Sequence, residues 1–229
     1  MLKFYFHTTP NPMKIALYLE ETGLPYELIA VDTLKGDQHR PEYRVVNPNG
    51  KAPAIEDNGV RVFDSSAILL YLAEKTGRLD SRAEDRAELL SWMMFIATGL
   101  GPFSGQAVHF QHAAPEDVPY AVNRYLHEAH RHYQVLETHM NNRNYIVGES
   151  LTIADISAWG WIDKATVVLG ESGLDTYPNL KRWFDNVNKL PSVERARNVG
   201  KEVNFKKEYD DIAKRAMYPQ NFSNTSEND

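Results

Sequence analysis

The sequence predicts a small α/β domain followed by an all-helical domain. Three observations carry this. In the first eighty or so residues, strand and helix patterns alternate as β-α-β-(loop)-β-β-α. After Gly77 the strand signals stop and long helical patterns take over. Further on, Thr152-Ile153-Ala154-Asp155 forms a capping-box variant ahead of a run that is apolar nearly all round, the mark of a helix buried at a domain centre. The expected division is an α/β domain over 1–78, a linker over 79–86, a helical domain over 87–200, and an extension and tail over 201–229.

Leu2 to Phe6 alternates large apolar and aromatic residues and reads as a strand. In Thr8-Thr9-Pro10-Asn11-Pro12, Asn11 suits a helix N-cap and Pro12 the first helical position. Ile15, Tyr18, Leu19 and Thr22 then make a helical face, with Gly23 as its stop. Tyr26 to Val31 reads as a second strand. Thr33 to Gly50 is polar and punctuated, mostly loop, with a short helix starting near Pro41. Ala52-Pro53-Ala54-Ile55 opens a third strand, and its proline is well placed for a cis bond. Asn58-Gly59 is a strong hairpin signal, so Val60 to Phe63 pairs back as a fourth strand. Asp64 or Ser65 caps a helix through Ile68, Leu69, Tyr71 and Leu72 to Gly77.

Helical patterns fill 87–142, with a break near Ala113-Ala114-Pro115. The helix behind Thr152 is expected to run to about Leu169, with Leu151 and Ile156 spaced as a hydrophobic staple. Another runs from Pro178 to Leu190, stopped by Pro191. From Pro219 the chain is polar and rich in Asn and Ser, and reads as a loosely held tail.

The 229 residues carry a net charge of −6, without the basic stripe of a nucleic-acid binder. No window approaches the roughly 18 apolar residues of a membrane span. The N-terminus lacks a signal-peptide pattern, so a cytoplasmic protein is expected. There is no cysteine, which excludes disulfides, zinc–thiolate sites and CxxC redox pairs. Thiol chemistry in this chain therefore requires a sulfur that the ligand brings.

Taken together, Asn49-Gly50-Lys51-Ala52-Pro53-Ala54, Asp64-Ser65-Ser66-Ala67-Ile68 and Thr152–Asp155 resemble the glutathione transferase superfamily over nearly the whole chain. They look like its cis-proline strand, its acidic–Ser turn and its capping box. Thr9-Pro10-Asn11, Gln38, Arg40-Pro41-Glu42, Gly101-Pro102, Gln106, His109-Phe110 and His112 to Pro115 resemble the bacterial Nu class, the superfamily's disulfide-bond oxidoreductases. The resemblance implies a thioredoxin-like α/β domain of β-α-β-β-β-α type with an all-α C-terminal domain. It further implies a homodimer and glutathione as co-substrate. The site would hold two glutathiones, or one glutathione disulfide, and reduce small disulfides.

The residues suit that ligand. The backbone of Ala52, ahead of Pro53, can pair with the tripeptide as an added strand. Ser65, at a helix start, offers a hydroxyl and N–H groups to the γ-glutamyl carboxylate. Asp64 can take the ammonium, with Gln38 and Lys51 as further contacts. The Thr9 hydroxyl and the Asn11 amide can stabilise the thiolate. Lowering a thiol pKa by about two units needs roughly 3 kcal/mol, within reach of a hydrogen bond to charge plus a helix tip. By resemblance, Arg131 reaches the carboxylate of a second glutathione.

Plainer readings stand beside these. Thr9 and Asn11 also suit a turn and a cap, and Asp64-Ser65 a simple helix start. Tyr5 reads as strand filling rather than a catalytic hydroxyl. Arg131 sits in a run typical of a solvated helix face. His127 with His130, and His109 with His112, have metal-like spacing but no completing carboxylate, so no metal is expected. Conjugation of electrophiles, or binding of glutathione without catalysis, are the competing functions.

Overall fold

The structure, a computed structural model, describes residues 1–222; residues 223–229 of the expected tail lie outside the described residues. The first domain holds β1 (Leu2–Phe6), α1 (Pro10–Thr22), β2 (Tyr26–Ala30), two single 3-10 turns, α2 (Pro41–Val46), β3 (Ala54–Asp57), β4 (Val60–Phe63) and α3 (Ser65–Thr76). The strands form one mixed sheet in the order β2-β1-β3-β4. β1 runs parallel to β2, which α1 connects, and antiparallel to β3. Asn58 and Gly59 turn β3 back into β4, both at positive φ (50° and 85°), as this tight hairpin requires.

Leu2, Phe4 and Phe6 point into the main core, where Ile15, Tyr18, Ile68, Leu69 and Leu72 also lie. The other face of the sheet packs Val31, Tyr43, Val46 and Ala54, with the Tyr5 ring 5.7 Å from that of Tyr43. This supports strand filling for Tyr5.

The helical part comprises α4 (Arg86–Phe95), a π-helical turn (Ile96–Leu100), α5 (Gly101–His112), α6 (Pro119–His139), α7 (Ile153–Ile162), α8 (Ala165–Leu169), α9 (Pro178–Val187), α10 (Pro191–Asn198) and α11 (Asp211–Met217). The helix α1 is wedged between its own sheet, α3, α7 and α10. It therefore lacks a solvent face over Pro12–Leu19, all buried. The capping box at Thr152 forms, with Asp155 accepting from the N–H groups of Ile146 and Thr152 and from the Trp183 indole.

Four elements differ from expectation. The helix α1 starts two residues early: Thr9 is its N-cap and Pro10 its first residue. Proline at the first position has its φ preset and no N–H to satisfy, so Pro10 wins over Pro12. The π turn interrupts the helix ahead of Pro102, which has no N–H for the Thr98 carbonyl. The expected run from Thr152 to Leu169 breaks after Ile162, where Asp163 pairs with Lys164 and Arg197 at the surface. The expected loose tail is ordered at its start: Pro219–Phe222 forms a 3-10 turn, with the Arg215 guanidinium 4.6 Å from the Phe222 ring centroid.

Candidate functional site

Sheet register brings the predicted residues to one end of the first domain. Tyr5 pairs with Ala54, so Ala52 and Pro53 lie beside Phe6-His7, where the chain turns into Thr8-Thr9. Ala54 pairs with Phe63, so Asp64 and Ser65 emerge next to the same place. The N-termini of α1 and α3 both open there, each presenting the positive end of a helix dipole. A contact confirms the convergence: Lys14 Nζ on α1 donates to Ser65 Oγ at 3.5 Å.

Thr9 is half-buried in extended backbone, and its hydroxyl makes no cap bond. Asn11, also half-buried, accepts from the Trp161 indole N–H through Oδ1 at 3.1 Å. The Ala52–Pro53 bond is cis, and β3 starts at Ala54, leaving Ala52 ahead of the ladder. Asp64 caps α3, accepting from the N–H groups of Ser66 (2.8 Å) and Ala67 (3.2 Å) while held at φ 71°. Cost at such a non-glycine position is of the kind that surrounding structure sustains at functional sites.

Gln38 and Lys51 are drawn together by the Asn47–Gly50 turn. Gly50 has φ 63°, and a Cβ there would lie 3.1 Å from the Gln38 carbonyl oxygen. Lys51 is exposed, its carbonyl held by the Tyr43 hydroxyl at 2.7 Å. The Gln38 side chain is buried, and its amide nitrogen donates to the Ala216 carbonyl of α11 at 3.4 Å. The C-terminal extension thus packs against the loop that carries this residue.

Arg131 lies elsewhere. Its Nε donates to Glu128 at 2.9 Å on the same helix. It lines a groove of about 700 Å³ with Trp92, His127, His130, His139 and Tyr177, to which no residue of 1–78 contributes. The histidine pairs are occupied singly: His130 meets the Tyr177 hydroxyl at 2.7 Å, His112 the Val167 carbonyl at 3.3 Å, and the His109 ring faces Tyr218. Among the described residues no helix is long and apolar enough to cross a membrane.

Sequence reasoning missed two residues. Lys14 is only 2 % exposed, and burial pulls its ammonium down to about 8, against a smaller upward pull from Asp64. Its signal was a charged residue between Met13 and Ile15 in a helix apolar on every side. Trp161 had no local signal; the helical glycine preceding it, Gly160, lets α7 meet α1 closely. A Cβ at Gly160 would lie 2.8 Å from the Pro10 carbonyl oxygen.

Two family models match the chain: "Glutathione S-transferase, N-terminal domain" over residues 1–74, and "Glutathione S-transferase, C-terminal domain" over 102–191. The chain is 43% identical over 204 residues to the disulfide-bond oxidoreductase YfcG of Escherichia coli (strain K12), covering 86% of this chain and 94% of that one. It is similar to a glutathione transferase of Burkholderia graminis solved with two glutathione molecules per subunit (TM-score 0.82, 36% identity, 87% and 88% of the two chains). A glutathione transferase of Pseudomonas putida, solved with one glutathione disulfide per subunit, matches with TM-score 0.79 and 33% identity over 86% and 91%.

Proposed function

The chain belongs to the glutathione S-transferase family, and from that premise we propose that it reduces small disulfides with the thiolate of bound glutathione. The observation that carries this reading is the tip of α1. Thr9 has a hydroxyl free of capping duty, and Asn11 offers an amide, in a chain without any cysteine. A donor pair at a helix N-terminus stabilises an anionic sulfur. Thiol–disulfide exchange needs only a positioned thiolate and a good leaving thiolate.

The remaining residues hold the tripeptide. Ala52 pairs with its cysteine backbone, and Asp64 takes its ammonium. Ser65, with the Lys14 ammonium behind it, takes the γ-glutamyl carboxylate. Lys51 and Gln38 lie on the outer side of this seat; Gln38 contacts the ligand only through what its bond to Ala216 leaves free. Arg131 is left out, since its guanidinium is engaged by Glu128 in a separate groove.

In the reaction, one bound thiolate attacks a sulfur of the substrate disulfide. The S–S bond breaks, a mixed disulfide forms, and one substrate thiolate leaves and takes up a proton. A second glutathione thiolate attacks the mixed disulfide on its glutathione sulfur, releasing the other substrate thiol and glutathione disulfide. Two glutathiones are oxidised and one disulfide is reduced. We infer a homodimer from the family resemblance, and a chain without cysteine fits a cytoplasmic location.

The test is a paired assay with glutathione: reduction of hydroxyethyl disulfide against conjugation of chlorodinitrobenzene. Turnover of the disulfide well above that of the electrophile is expected. Turnover of the electrophile alone overturns the reading in favour of a conventional transferase. Saturable glutathione binding with neither turnover overturns it in favour of a non-catalytic binder.

A further inference from the structure

Asn11 is held across the whole chain by a single bond. Trp161 Nε1, on α7, donates to Asn11 Oδ1 at 3.1 Å. An indole N–H can only donate, so the group facing it is the amide oxygen. Oxygen and nitrogen diverge from one planar carbon, so the Asn11 NH2 is turned away from the indole. Among the described residues that NH2 has no hydrogen-bond partner. A carboxamide free to rotate would present either end to the cleft. One end donates to an anionic sulfur, and the other repels it.

The indole itself has little freedom. Gly101 and Gly105, one turn apart on α5, form the slot in which it sits. A Cβ at Gly101 would lie 3.0 Å from Trp161 Nε1, and one at Gly105 would lie 3.4 Å from the far edge of the ring. The Tyr133 hydroxyl donates to the Trp161 carbonyl at 3.3 Å. Just before it, Gly160 admits the start of α1, where the Pro10 carbonyl and the Lys14 stem fill the space of a side chain. The contact between α7 and the tip of α1 is therefore close-packed, and the N–H is aimed by packing on three helices.

We propose that Trp161 is a positioning residue for thiol activation: it fixes the Asn11 carboxamide with its NH2, rather than its carbonyl, toward the sulfur of bound glutathione. This rests on the assignment of Asn11 to the thiolate made above. The helical domain thereby takes part in activating the sulfur without touching the ligand. In water an amide flip is nearly free. In the cleft, the indole makes one of the two orientations cost it a bond and leaves a half-buried donor unpaired.

The test is a titration of the bound thiol, followed by thiolate ultraviolet absorbance, in four proteins: wild type, Trp161→Phe, Asn11→Ala and the double variant. Binding of S-methylglutathione, which has no thiol to ionise, is measured in parallel. Trp161→Phe is expected to raise the bound thiol pKa by about one unit, a tenfold loss of thiolate at lower pH. Affinity for S-methylglutathione is expected to stay unchanged. In the Asn11→Ala background, Trp161→Phe is expected to add nothing.

A thiol pKa unmoved by Trp161→Phe, or moved equally with and without Asn11, overturns the proposal. So does a loss of S-methylglutathione affinity that matches the titration shift, since that reports damaged packing. If Asn11→Ala leaves the thiol where it was, the assignment of Asn11 itself falls, a result distinct from failure of Trp161 alone. Should Trp161→Phe fold poorly, the benzothiophene isostere of tryptophan at position 161 keeps the ring shape and lacks only the donor. It is expected to give the same shift, and no shift overturns the proposal.

Discussion

Replacing Lys14 with methionine separates what this residue costs from what it does. Its ammonium is buried at the junction of α1, α3 and α7, with the Ser65 hydroxyl as its hydrogen-bond partner and Asp64 as the carboxylate that acts on it. Burial lowers its pKa from 10.5 to about 8. At pH 7 the folded protein carries a charge that the unfolded chain keeps in water. A shift of that size corresponds to a cost on the order of 3 kcal/mol. Between pH 8 and 10.5 the unfolded chain still binds the proton and the folded protein has released it. Wild-type stability attributable to Lys14 therefore rises with pH across that window. Lys14→Met keeps the stem that packs against Gly160 and removes the charge. It is expected to stabilise the unliganded protein by up to about 3 kcal/mol at pH 7, with the gain shrinking toward zero as pH approaches 10.5. Urea unfolding at pH 7 and again near pH 10 reads this directly. The same variant is expected to bind glutathione more weakly, because the carboxylate seat at Ser65 loses its cation. A gain equal at both pH values, or a loss at pH 7, refutes the burial argument. Unchanged glutathione affinity refutes the role given to the cation.

Two further substitutions test the division between chemistry and framework. Asn11→Ala is expected to lower disulfide turnover by roughly ten- to a hundredfold, the worth of one hydrogen bond to a charged sulfur, with a small change in melting temperature; a melting temperature that falls in step with activity contradicts it. Asp155→Ala strips the buried acceptor from the N–H groups of Ile146 and Thr152 and from the Trp183 indole. It is expected to cost about 3 kcal/mol or more of stability, seen as a lower urea midpoint, with glutathione affinity of the folded fraction preserved.

Much of the first domain was legible because its signals are local. Asn58-Gly59 made the hairpin, Gly23 and Gly77 ended α1 and α3 at positive φ, and Pro41 opened α2. Local signals also compete. Asn11 and Pro12 look like a helix start in isolation, yet Pro10 fits the first position as well and comes earlier in the chain. The π turn arises where Pro102 lacks the N–H that helical periodicity requires, and the break after Ile162 falls at Asp163, which pairs with Lys164 and Arg197. The helix α11 gave no amphipathic pattern strong enough to read. It is capped by Asp210 and packs against the Thr33–Lys35 turn, a contact that joins distant parts of the sequence.

The site divides the same way. Thr9, Asn11, Ala52, Pro53, Asp64 and Ser65 lie at turns and helix starts, where residue type and function share one signal. Lys14 and Trp161 reach the site through burial and long-range packing. Lys14 reads as a solvated side chain until α7 and α10 cover α1 on its outer side. Trp161 reads as core filling until Gly101 and Gly105 turn its N–H toward Asn11. Arg131 shows the reverse. The family resemblance alone tied it to a second glutathione, and the structure pairs it with Glu128 in a groove to which no residue of 1–78 contributes.

The account stands on the state of one borrowed sulfur atom. Titration of glutathione bound to the wild-type protein, against glutathione free in the same buffer, measures that state directly. The thiol is expected to ionise about two pH units lower when bound, from near 8.5 to the neutral range. A bound thiol that ionises at the same pH as the free one contradicts the mechanism at its root.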